Sequence, residues 1–167
     1  AMHLAARNGQ KDIVTNLVDH GADMNVRNND GWTAMHLAAW HGHKDIVTNL
    51  VDHGADMNVR KNDGWTAMHL AAVDGHKDIV TYLVDHGDDM NVRTNDGWTV
   101  MHNAARNGHK DIVTNLVDHG ADMNVRTNDG WTVMHIAARY GHKDIVTNLV
   151  DHGADMNVRN NDGWTAM

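Results

Sequence analysis

The chain has 167 residues, a formal net charge of -8, 41% hydrophobic residues, and no Cys, Pro or Phe. This length suffices for one ordinary domain. Without Cys, disulfides, a thiolate nucleophile and Cys-based zinc ligation are excluded. The acidic balance argues against a nucleic-acid-binding protein, which would carry a basic stripe. Because the sequence shows neither a secretory signal nor an apolar run of membrane-spanning length, we expect no membrane contact and a cytoplasmic location.

The sequence repeats itself with a period of 33 residues. Of the 33 columns, 25 are identical in all copies. We number the copies repeats 1 to 5 and expect them to form a single domain over residues 1–167, in which 166–167 begin a further copy. The five repeats align without a gap over 1–33, 34–66, 67–99, 100–132 and 133–165.

Each repeat contains two predicted helices, for which repeat 2 serves as the example. The first covers 34–41, with Thr33 as its N-cap and Gly42 as its end. The second covers 43–53, where apolar residues recur at the i, i+1, i+4, i+5 spacing of a helix with one buried stripe. Gly54 ends it in the left-handed conformation. A repeat is therefore a helix-turn-helix unit.

The rest of the repeat, up to Trp65, is a turn-rich finger in which the Asn-Asp-Gly run at 62–64 predicts a tight β-turn. The combined pattern resembles that of the ankyrin-repeat family over the whole chain. The resemblance implies an all-α ankyrin-repeat solenoid with β-hairpin or β-turn fingers. The residues that carry it are Gly31-Trp-Thr-Ala-Met-His-Leu-Ala-Ala39, Gly42-His43, Ile46-Val47 and Gly54-Ala-Asp-Met-Asn58.

Two features depart from natural members of the family. The chain has Ala34 or Val100 where the family usually has Pro, and Met35 where it has Leu. Ala is a strong helix former, so the fold prediction stands. The near-identity of the repeats resembles designed consensus ankyrin proteins more than natural arrays.

The invariant His of the first helix invites interpretation as a metal ligand. Helices of stacked repeats lie about 10 Å apart, whereas ligands that share a zinc ion each lie about 2 Å from it. We therefore expect no metal and interpret this His, as the resemblance implies, as a hydrogen-bonding strut between the finger and the next repeat. His41 and His43 form only a weak metal motif. The column comprises His3, His36, His69, His102 and His135.

Catalysis is not expected. The chain has no Ser, Cys or Glu and no Gly-rich phosphate loop. Its Asp and His residues recur in equivalent ladders, whereas an active site needs different groups converging on one point. The sequence therefore predicts a protein that is not an enzyme and binds no cofactor.

The variable columns point to a binding surface. Only eight columns vary, and the informative differences lie in the last two turns of the first helix or in the finger turn. The resemblance places both on a concave groove that binds protein partners, and Trp, Arg and Tyr are common in binding hot spots. Neutral drift is the alternative. The predicted contact residues are Arg7, Asn8, Trp40, His41, Val73, Asp74, Asn103, Arg106, Asn107, Ile136, Arg139, Tyr140, Lys61, Trp65 and Trp98.

The invariant Trp that precedes each first helix has two interpretations. It is expected on the exposed side of the finger, where a ladder of Trp residues could bind a partner. It could equally pack against neighbouring turns as part of the framework. The sequence leaves both open.

We expect a non-catalytic protein-binding module, engineered or consensus-derived, whose protein partner the sequence does not identify. The alternative is a consensus array without a dedicated partner. Terminal repeats normally carry polar outer faces, and neither end of this sequence shows one. The alternative therefore includes self-association of the chain head to tail.

Overall fold

The computed structural model describes residues 1–167 and contains ten α-helices and no strand. It divides into two compact units, an N-terminal unit, Ala1–Asp88, and a C-terminal unit, Asp89–Met167. The predicted all-α fold is confirmed. The helices are α1 (Met2–Arg7), α2 (Lys11–Asp19), α3 (Ala34–Trp40), α4 (Lys44–Asp52), α5 (Ala67–Val73), α6 (Lys77–Asp85), α7 (Val100–Arg106), α8 (Lys110–Asp118), α9 (Val133–Arg139) and α10 (Lys143–Asp151).

Within each unit, helices of the same kind pack in succession. In the N-terminal unit α1 packs on α3 and α3 on α5, while α2 packs on α4 and α4 on α6. In the C-terminal unit α7 packs on α9 and α8 on α10. Each first helix also packs on the second helix of its own repeat. This successive packing is that of a helical solenoid within each unit. That all five repeats form one domain stays a prediction.

The buried stripe of the second helices forms much of the core. Ile46 and Leu50 of α4 are completely buried, as are Ile112 and Leu116 of α8. Removing a side chain of this size from water contributes about 1.5–3 kcal/mol to folding. The helix ends differ from the prediction by one residue, because His41 and His43 are the residues that flank α3 and α4.

The fingers are β-turns, without paired strands. In repeat 1 the Asn28 N–H donates to the Trp32 carbonyl at 2.9 Å, and the Gly31 N–H donates to the Asn28 carbonyl at 3.0 Å. Gly31 has a φ of +85°, which residues with a side chain rarely adopt. The next finger is joined to this one by the Asn62 N–H, which donates to the Asp30 carbonyl at 3.2 Å.

The invariant His of the first helix connects two fingers. His36 Nδ1 accepts hydrogen bonds from the Thr33 N–H at 3.1 Å and the Thr33 hydroxyl at 2.8 Å. An acceptor nitrogen carries no proton, so the ring proton lies on Nε2. Nε2 then donates to the Trp65 carbonyl at 3.3 Å. The predicted strut is confirmed, and the same ring also takes the Glu/Gln role in a capping box at the start of α3.

A second His column fixes the ends of α1, α3 and α7. His76 Nε2 donates to the Trp40 carbonyl at 3.0 Å. Its ring lies against Gly42, so close that a Cβ on Gly42 would be 2.6 Å from the ring carbon Cε1. Gly42 also has a φ of +75°. Glycine is therefore required at this position for two reasons, of which the sequence indicated only the helix end.

Burial makes two of the strut histidines sensitive to pH. Burial lowers the pKa of His36 and of His102 to about 4, because removal from water disfavours the charged ring. In the unfolded chain a His takes up its proton below about pH 6.5. Each of the two therefore contributes full stability above pH 6.5, and this contribution is lost as the pH falls toward 4.

We expect the free energy of unfolding to fall by about 2 kcal/mol for each of these two residues between about pH 7.5 and 5. Urea denaturation at both pH values measures this change. The variant His36→Gln keeps an amide in the capping position but does not titrate, so its loss between the two pH values should be smaller by that amount. An unchanged loss in the variant would contradict the assignment.

Candidate protein-binding surface

The invariant Trp of three fingers, Trp32, Trp98 and Trp131, forms a platform for the residue at the end of the following first helix. The rings of Trp32 and Trp40 stack with centroids 5.0 Å apart. The Arg139 guanidinium lies 5.1 Å from the centroid of Trp131. In both pairs the two residues are eight positions apart and lie at opposite ends of one helix. The variable position is thus supported by an invariant one.

Backbone hydrogen bonds hold the platform on both sides of the Trp. The Trp131 carbonyl accepts from His102 Nε2 at 3.2 Å, and the Trp131 N–H donates to the Thr127 hydroxyl at 3.1 Å. The end of the first helix is fixed as well, since His142 Nε2 donates to the Arg106 carbonyl at 3.1 Å. The side chains at the end of the first helix therefore differ between repeats, while these hydrogen bonds hold the backbone in place.

The variable column in the finger turn supports the Trp and is buried in the last three repeats, although Asn28 of repeat 1 is exposed. Thr127 is 5% exposed. In repeat 1 the equivalent Asn28 side chain accepts the Trp32 N–H at 2.9 Å. Lys61 cannot accept a hydrogen bond, and in its repeat the Asp63 carboxylate accepts the Trp65 N–H at 3.2 Å. Asn and Thr in this column therefore act as acceptors within the turn.

Lys61 itself is held inside its finger. Its Nζ lies 3.0 Å from an Asp63 carboxylate oxygen and 4.1 Å from the ring centroid of Trp32. Its side chain is only 10% exposed. The charge that the sequence suggested for partner contact is therefore largely neutralised within the chain.

We define the N-terminal patch as Trp32, Trp40, His41 and Lys61. Trp40 is 39% exposed, and the His41 ring stacks on it with centroids 5.4 Å apart. Three rings, those of Trp32, Trp40 and His41, thus follow one another along this patch. The structure brings together three residues that lie in three separate variable columns of the sequence: Trp40, His41 and Lys61.

We define the C-terminal patch as Trp98, Arg106, Trp131, Arg139 and Tyr140. The Arg106 guanidinium lies 5.8 Å from the ring centroid of Trp98 and 5.7 Å from that of Tyr140. Distances below about 6 Å are within the range of cation–π attraction. Tyr140 is 43% exposed. Two cations and three aromatic rings therefore share one surface.

The remaining predicted residues are distributed unevenly. Arg7 and Asn8 are exposed at the end of α1, Asp74 at the end of α5 and Asn107 at the end of α7. Val73 and Trp65 are half-buried, and the Trp65 ring lies 5.9 Å from that of His69.

Asn103 and Ile136 lie in the interior, each 3% exposed. Neither offers a side-chain surface to a partner, so we leave both out of the contact surface. The physical reason is the orientation of their column, in which Leu70 is also buried at 6% exposure. Sequence variation alone did not separate a core column from a surface column.

The predicted contact residues include Trp65 and Trp98 of the invariant Trp ladder but not Trp32 and Trp131. Trp32, Trp65, Trp98 and Trp131 are half-buried, while Trp164 is 71% exposed. Trp32, Trp98 and Trp131 each support the residue eight positions later. These three Trp residues therefore pack within the framework and also lie on the candidate surface.

Comparison with known families identifies the chain. A family model described as ankyrin repeats (3 copies) matches residues 1–61, 50–127 and 103–167, which together cover every residue. The chain belongs to the ankyrin-repeat family. Ankyrin repeats are generally protein-interaction modules and typically non-enzymatic scaffolds. A comparison with curated proteins finds no match. None of the ten helices has the length and apolar content that crossing a bilayer requires.

The buried amide of Asn103 yields a stability prediction. Its Nδ2 has no hydrogen-bond partner, and leaving a buried donor unsatisfied costs about 1–3 kcal/mol. Repeats 1 to 3 have Leu in this column, including Leu70. We expect Asn103→Leu to raise the free energy of unfolding by about 1–2 kcal/mol in urea denaturation. A lower stability of the variant would show that the amide has a role in folding that the structure does not reveal.

Proposed function

We propose that the chain is a non-catalytic module, engineered or consensus-derived, that recognises a protein partner through its first-helix ends and adjoining fingers. The observation that carries the proposal is the support of exposed variable residues by an invariant Trp platform. Trp40 and Tyr140 remain 39% and 43% exposed although both contact other side chains of their patches. Hot-spot residues at protein interfaces are enriched in Trp, Tyr and Arg.

The arrangement reduces the entropic cost of binding. A side chain that is already stacked has fewer rotamers to lose when a partner covers it, and a prearranged surface binds more tightly for that reason. The near-identity of the repeats, with 25 of 33 columns constant, supports the engineered or consensus origin. In such an array the differences between repeats are the positions open to selection for a partner.

A capture experiment with a matched control tests the proposal. The chain is immobilised and exposed to a cell lysate, beside a reset variant that carries Trp40→Arg, His41→Asn, Val73→Arg, Asp74→Asn and Tyr140→Asn. Arg-Asn is the native pair at the same position in repeats 1 and 4, so the reset should preserve the fold, which circular dichroism checks. We expect a protein that the original retains and the reset variant loses.

Once that partner is identified, Trp40→Ala and Tyr140→Ala should each weaken its binding by about 2 kcal/mol or more. Isothermal titration calorimetry measures this change. Equal retention of every protein by the original and the reset variant, or retention of none, would contradict the proposal.

The second candidate is a partnerless array in which copies of the chain associate head to tail. The observation that favours it is the exposed apolar face of repeat 1, where Leu4, Ile13 and Val26 are 62%, 48% and 49% exposed. The equivalent Ile46 is completely buried, because the preceding repeat covers that face. A second copy would supply the same cover. Sedimentation velocity at increasing concentration should then show a growing mass, and a constant monomer mass would exclude it.

A further inference from the structure

We propose that the C-terminal patch binds an acidic segment of the partner, with Arg106 and Arg139 as the groups that hold its carboxylates. This inference rests on the proposed protein-binding function and adds the chemical class of the bound segment. The Arg106 guanidinium lies over the rings of Trp98 and Tyr140, and that of Arg139 lies over the ring of Trp131.

Stacking on an aromatic ring leaves the donors of a guanidinium free. The attraction to the ring involves the cation as a whole and consumes none of its five N–H donors. Arg106 and Arg139 are both exposed, and neither is paired with a carboxylate of the chain. The N–H fork of such an Arg matches a carboxylate in bidentate geometry. Two orientated forks on one surface therefore suit a segment with several carboxylates.

The helices that carry these Arg residues contain no acidic residue. The sequence of α7 is VMHNAAR and that of α9 is VMHIAAR. The acidic residues of the C-terminal unit lie on its second helices and fingers, as Asp111 and Asp129 do. The whole chain carries a net charge of -8, so its overall field repels an acidic segment. The attraction must therefore come from short-range hydrogen bonds to the two Arg residues.

The N-terminal patch does not share this character. Its cation, Lys61, is paired with Asp63 at 3.0 Å and its side chain is 10% exposed. The first-helix ends beside it carry Trp40 and Val73, which are uncharged. The C-terminal patch therefore presents two guanidinium groups that lie over aromatic rings and are not paired with a carboxylate. The N-terminal patch presents mainly aromatic ring surface.

Fluorescence anisotropy with defined peptides tests the proposal. The probe is a short fluorescein-labelled peptide of alternating Glu and Gly, beside versions with Gln or Lys in place of Glu. We expect the Glu peptide to bind more tightly than either of the others. Tighter binding of the Lys peptide would assign the patch to a basic partner and overturn the proposal, as would equal binding of all three.

Charge-matched variants separate the patch from general electrostatics. Arg106→Gln with Arg139→Gln should weaken binding of the Glu peptide about tenfold or more. The control, Lys110→Gln with Lys143→Gln, makes the same change in net charge at exposed positions on α8 and α10 and should change binding less than about twofold. Arg106→Lys with Arg139→Lys keeps the charge without the planar fork, so it should also lose most of the affinity. Equal weakening by the control pair would contradict the proposal.

The two proposals fail through different results. The proposed function fails when the reset variant, which retains Arg106 and Arg139, holds every protein that the original holds, or when neither holds any. The acidic-segment proposal fails when the partner is lost by the reset variant but kept by the Arg106→Gln and Arg139→Gln pair.

Discussion

The hydrogen bonds of the buried first-helix His hold the repeat together, and the candidate surface depends on them. In His36 one ring nitrogen accepts from the Thr that caps its own helix, while the other donates to the Trp65 carbonyl of the following finger. Only a neutral imidazole can accept and donate at the same time. Burial favours that neutral form, because it lowers the pKa of His36 to about 4. A single side chain thereby fixes the start of a helix and the position of the next finger.

The finger in turn positions the Trp on which the variable residues rest. The Trp131 carbonyl is bound by His102, and its ring supports Arg139. The His of the following repeat holds the carbonyl at the end of the first helix, as His142 does for Arg106. The hydrogen bonds that stabilise the framework therefore also position the residues of the candidate surface. Side chains such as Trp40 and Arg106 can differ between repeats without a change in backbone, because the backbone is held by invariant groups.

Much of the fold could be predicted from the sequence because the second helix of every repeat has the same apolar stripe and both helices are followed by a Gly. The predicted ends differ only at residues such as His41, which flanks its helix. The contacts within the surface were not predictable in the same way. Trp32 and Trp40 are eight residues apart and meet across a whole helix, a spacing that no local pattern marks. The burial of Asn103 was also missed, although apolar residues such as Leu70 and Ile136 in the same column were the available signal.

The ring nitrogens of His36 and His102 provide the most direct test of this account. The measurement is a long-range proton–nitrogen NMR spectrum at about pH 5.5. This pH lies between the pKa of the two rings, about 4, and the ordinary value of about 6.5. The account predicts that both rings are neutral, with an unprotonated Nδ1 and a protonated Nε2. A charged ring, or a proton on Nδ1, would contradict it, because neither form can accept from the capping Thr and donate to the Trp carbonyl.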